Sequence, residues 1–136
     1  MFNSIINGSK KSKKSKKSKE VKDDLSAPPQ VQAPGSYIRE AGILLLTDKF
    51  DQEKVMPLVA QIYEYNLMPE ELRPEHITVV INSPGGSVHS AFHLIDAMML
   101  SEVPVNTIGH GLVASCGVLT IMAGKRRMLT HNTSVM

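Results

Sequence analysis

Apolar runs of strand length alternate along this chain with segments of helical periodicity. Gly42-Ile43-Leu44-Leu45-Leu46-Thr47 is a continuous apolar run, suited to a strand in a sheet covered on both faces. Asp48 to Asp51 read as a polar turn. From Gln52, the residues Val55, Leu58, Val59, Ile62 and Tyr63 recur at helical spacing and predict an amphipathic helix to about Tyr65, with Pro57 tolerable only near its start. Met68 to Glu75 form an exposed acidic connection. Ile77-Thr78-Val79-Val80-Ile81 predicts a second buried strand, and Val88, Phe92, Ile95, Met98 and Met99 mark a following helix. After Pro104, Val105 to Ile108 predict a third strand. A glycine-bearing turn then leads into a buried helix, Val118 to Ala123, ended by Gly124. The succession βαβαβ implies an α/β fold with a parallel sheet.

Two of the strand-to-helix junctions carry candidate chemistry. Ser115, in Gly109-His110-Gly111-Leu112-Val113-Ala114-Ser115-Cys116-Gly117, puts a hydroxyl at the positive end of a helix, where free N–H groups can receive a developing oxyanion. Taken alone, such a serine reads first as an N-cap. The other junction, Ile81-Asn82-Ser83-Pro84-Gly85-Gly86-Ser87-Val88, combines a fixed dihedral at Pro84 with glycines that allow positive φ and close approach of a substrate backbone. Loops at the carboxyl ends of parallel strands gather on one edge, where ligands bind. The two turns are therefore expected side by side, with Gly86 N within about 10 Å of the Ser115 hydroxyl if one oxyanion is to be shared.

Ile-Asn-Ser-Pro-Gly-Gly-Ser-Val, then Gly-Leu-Val-Ala-Ser-Cys-Gly, then Met-Ala-Gly-Lys-Arg-Arg resembles the Clp-type serine peptidases over roughly Arg39 to Met136. The resemblance implies a ClpP/crotonase-like fold and a serine endopeptidase that cuts unfolded polypeptides through an acyl-enzyme. It makes Ser115 the nucleophile, the backbone N–H groups of Gly86 and Cys116 the oxyanion hole, and Pro84, Gly85 and Ser87 substrate-binding residues. Leu112 and Cys116 depart from that family, which usually has Gln and Met there. The resemblance also implies no metal and no cofactor, ATP being consumed by a separate AAA+ Clp unfoldase, and assembly into homo- or hetero-oligomeric rings. The acidic connection before Ile77 reads as a surface insertion.

The charge is unevenly spread. Residues 1–35 carry eight lysines against three acidic groups, whereas residues 36–136 carry seven basic against ten acidic. The Ser9 to Lys19 repeat offers nothing to build a core, and with the Pro-rich linker after it predicts a disordered basic tail over residues 1–35 ahead of a domain over 36–136. The lysines could contact nucleic acid by counterion release, but a solvated or processed tail is the preferred reading, so neither nucleic acid nor membrane is an expected partner. A lone cysteine fits a reducing compartment, and cytoplasmic localisation is expected. His89 and His93 stand four apart without the intervening Glu of a zinc helix or a third ligand. His110 precedes the serine turn, and His131 reads as a surface residue.

A serine hydroxyl needs a general base and an orienting carboxylate. The resemblance places that histidine in a Val-Met-x-His pattern, two positions beyond Val135-Met136. Residues 36–136 are accordingly read as a C-terminally incomplete domain. Two functions follow: the proteolytic subunit of a Clp protease, or a truncated or inactive partner subunit acting as an interaction protein in a Clp complex. A crotonase-type acyl-CoA enzyme is a lesser third reading.

Overall fold

The computed structural model describes residues 35–136, so the expected tail and linker fall outside the described residues apart from Gly35. The elements run α1 (Ser36–Glu40), β1 (Ile43–Leu46), α2 (Gln52–Leu67), a 3-10 turn (Glu70–Leu72), β2 (Ile77–Ser83), α3 (Val88–Leu100), β3 (Val105–Val113), α4 (Cys116–Ala123), β4 (Arg127–Leu129) and β5 (Ser134–Val135). The strands pair in the order β1-β2-β3-β4, all parallel, and β5 joins β3 in parallel beyond β4. This is the α/β architecture with a parallel sheet that the alternating pattern predicts.

Local chemistry explains the helix ends. Asp51 Oδ1 accepts the Lys54 N–H at 2.8 Å and caps α2. Pro57 lies inside α2, which continues past it to Leu67. At the far end, the Arg73 guanidinium donates to the carbonyls of Asn66 and Met68, at 2.7 and 2.8 Å, and pairs with Glu102 at 3.2 Å. Those contacts satisfy carbonyls that the helix itself leaves open.

The core joins Leu44, Leu46, Ile77, Val79, Ile81 and Val105 of the sheet to Val55, Val59, Ile62 and Tyr65 of α2 and to Ala91, Leu94, Ala97 and Met98 of α3. Three expectations need correction. Burial in β1 and β2 alternates, and Leu45 stays 48% exposed, so among the described residues only one sheet face is covered. The sequence leaves the core side of α3 open, because the helix is apolar on more than one side; the buried residues are Ala91, Leu94, Ala97 and Met98, while Val88, Phe92 and Met99 are exposed. In α4, Leu119 and Met122 are likewise exposed. Finally, the turn between Asp48 and Asp51 holds Phe50, which is only 1% exposed.

Candidate active site

The turn after β2 is built from Ser83 and Phe50. Ser83 is fully buried, and its Oγ accepts the Gly85 N–H at 3.1 Å, an arrangement that folds Pro84 back over the strand end. Phe50 clamps the turn from the other side: its N–H donates to Gly85 O at 2.9 Å, and its carbonyl accepts the Ser87 N–H at 2.6 Å. Gly86 between them has φ +148°, and a Cβ there would fall 2.5 Å from Phe50 O, so a side chain has neither the dihedral nor the room. Ser87 closes the turn. Its side chain accepts the Ser90 N–H at 3.2 Å and its carbonyl the Ala91 N–H at 3.0 Å.

The second turn is shorter than the glycines of its sequence suggest, because β3 continues to Val113 and only Ala114 and Ser115 separate it from α4. Ser115 has φ 54° and ψ −125°, and it is the one non-glycine residue with positive φ among the described residues. That conformation is costly for an L-residue and persists only where the surroundings impose it. Here the Ser115 N–H donates to Met136 O at 2.9 Å, the Met136 N–H donates to Val113 O at 3.0 Å, and the Ala114 N–H donates to Ser83 O at 3.0 Å. The Ser115 hydroxyl makes no capping bond to α4 and is exposed, so the N-cap role does not account for it.

The two turns touch. A Cβ built on Gly85 would lie 2.6 Å from Ser115 Cβ and 3.1 Å from Ser115 Oγ. The Gly86 nitrogen, one peptide further on, is thus far inside the 10 Å expected of a shared site. The amides of Gly86 and Cys116 both lie near the Cys116 thiol and favour its charged form. Burial outweighs their effect and pushes that thiol above its ordinary value of 9.0. Gly117 and Val118 donate to Ala114 O and Ser115 O at 3.0 Å each, so at the start of α4 it is the Cys116 N–H that stays clear of the main chain, with the helix dipole behind it.

Known proteins resemble this chain in sequence and in fold. The sequence model of the Clp protease family matches residues 29–136. The chain belongs to the Clp protease family. It is 31% identical over 119 residues to the ATP-dependent Clp protease proteolytic subunit 2 of Thermobifida fusca, covering 85% of this chain and 57% of that one. To the corresponding subunit of Rhodococcus jostii it is 38% identical over 92 residues, covering 65% and 46%. In structure it is similar to the ClpP protease catalytic domain from Plasmodium falciparum, with a TM-score of 0.67 at 26% identity over 74% of this chain and 55% of that one. The chain thus spans about half the length of these Clp relatives.

Among the described residues, no side chain hydrogen-bonds Ser115 Oγ, and no group of three potential metal ligands forms. His110 and His131 are both exposed. No helix of the described residues is long and apolar enough to cross a membrane. Sequence reasoning missed Phe50, Asn82 and Ser83, whose parts are played by backbone or short-range side-chain bonds that leave no periodic signal.

Proposed function

We propose that this chain supplies the nucleophile and oxyanion hole of a Clp-type serine endopeptidase, the proteolytic subunit of an ATP-dependent protease. The observation that carries this reading is the strained, uncapped Ser115 lodged against Gly85, with the next residue of each turn, Gly86 and Cys116, bringing its backbone N–H beside it. Ser115 Oγ attacks the carbonyl carbon of a peptide bond, the carbonyl oxygen takes the negative charge, and the two N–H groups stabilise it. Collapse of the adduct expels the amine and leaves an acyl-enzyme, which water hydrolyses. Pro84 and Gly85 line the approach of the substrate backbone.

The proton of Ser115 must go to a base, and none among the described residues reaches it. The hydrogen bonds of Met136 with Val113 and Ser115 aim β5 along the serine. A histidine two residues past Met136, where the Clp resemblance puts it, would arrive beside Ser115. In this reading ATP is used by a partner unfoldase rather than by this chain, no metal or cofactor takes part, the subunit works in an oligomeric ring, and the compartment is cytoplasmic.

A peptide boronate tests the nucleophile without needing the base, since boron accepts a serine oxygen and becomes tetrahedral. Residues 1–136 are expected to give a tetrahedral boron NMR signal that Ser115→Ala abolishes. The same protein should cleave fluorogenic peptides several orders of magnitude more slowly than complete serine peptidases. A boronate that stays trigonal with the wild-type chain would sink the reading.

A further inference from the structure

Between the regular part of β3 and Ser115, the ladder joining β2 to β3 breaks. Ile81 pairs with Gly109, but Ser83 pairs with Val113, so Asn82 alone stands opposite His110, Gly111 and Leu112. A bulge of this size leaves backbone groups without partners and lets a strand end wander. Here the Asn82 side chain fills the gap. Its Oδ1 accepts the Leu112 N–H at 3.0 Å. The planar amide stands in for the missing peptide of the ladder, as asparagine side chains do in turns. Gly111 is shaped to admit it: its φ is +79°, and a Cβ there would lie 3.1 Å from Asn82 Oδ1 and 3.5 Å from Nδ2. From Leu112 to Ser115 the chain has only three steps, and the Ser83 carbonyl takes up the Ala114 N–H within them.

We propose that Asn82 is a positioning residue for Ser115, its amide bridging the β3 bulge so that the serine meets the Gly85–Gly86 turn. The effect on ligand binding rests on the peptidase reading, whereas the effect on the backbone does not. Asn82 makes no contact with a reacting atom; it acts through Leu112. The motif turn and the serine turn are thereby tied by a side chain of the motif itself, so displacement of one carries the other with it.

The experiment compares Asn82→Ala, Asn82→Asp and Gly111→Ala in the full 1–136 chain by amide hydrogen exchange, NMR of Ser115 and peptide-boronate titration. In Asn82→Ala, exchange at Leu112 is expected to quicken about tenfold or more, the Ser115 resonances to move, and the boronate to bind about tenfold more weakly. Gly111→Ala should do the same by pushing the amide aside. Asn82→Asp keeps the acceptor oxygen and should return Leu112 protection and the Ser115 resonances to wild-type positions. Unchanged Ser115 resonances in Asn82→Ala, or in Gly111→Ala should the first variant not fold, would overturn the proposal, as would failure of Asn82→Asp to restore them. If the wild-type chain binds no boronate, the peptidase reading fails by itself, and the Ser115 resonances still decide the role of Asn82.

Discussion

Gly85 sets the tightest test at the scale of one residue. With φ +98° and a potential Cβ 2.6 Å from Ser115 Cβ, Gly85→Ala must either strain its own backbone or push the serine away. We expect a loss of stability of about 1–3 kcal/mol together with loss of tetrahedral boronate, read by urea unfolding and boron NMR on the same sample. Retention of both would mean that the two turns are not in contact. Cys116 adds a pH dependence. Burial raises its folded-state pKa, so the stability it contributes is fully present below its unfolded value of about 9.0 and is lost as pH rises through the folded value. Tyr65, also raised by burial from 10.0, acts in the same direction at higher pH. The urea midpoint is therefore expected to fall above about pH 9, and Cys116→Ala should flatten the first part of that fall.

Among the elements, the segment joining β1 to α2 holds more of the site than its sequence suggests. Phe50 reads as part of a polar turn between two aspartates, yet its ring is buried and its backbone grips both Gly85 and Ser87. Phe50→Ala is expected to cost about 3–5 kcal/mol, a large share of the stability of a domain this size. Chemical denaturation measures it; a cost below about 1 kcal/mol would refute the role given to this ring. The strands and helices themselves were legible, because apolar runs such as Ile77 to Ile81 and the spacing of Val55, Val59 and Ile62 follow directly from strand and helix geometry. Ser115, Gly86 and Cys116 were legible as a group through the order of two motifs. What sequence could not show was which side of α3 faces inward, since Val88, Phe92 and Met99 are as apolar as the buried set. Nor could it show the β3 bulge, whose geometry is set by Asn82, three residues of one strand answering one of the other.

On the scale of the whole molecule, the core runs from Leu44 to Ile121, so no buried apolar residue of the described domain is drawn from its first few positions. Removal of residues 1–34 is therefore expected to shift the melting temperature by no more than about 2 °C, and scanning calorimetry of the two chains checks it. A drop of about 10 °C would show that the basic segment belongs to the folded unit. Among the described residues one sheet face is left open, with Leu45 exposed, whereas parallel sheets are usually covered on both sides.

The hydrogen bond from the Ser115 N–H to Met136 O also orders events in time. During synthesis the motif turn, β3 and the serine leave the ribosome before the residue that fixes the serine backbone does, and chains acquire structure from the amino-terminal end. Until β5 docks, Ser115 lacks one of the bonds that hold its unusual φ, so a half-made chain carries a hydroxyl without a set direction.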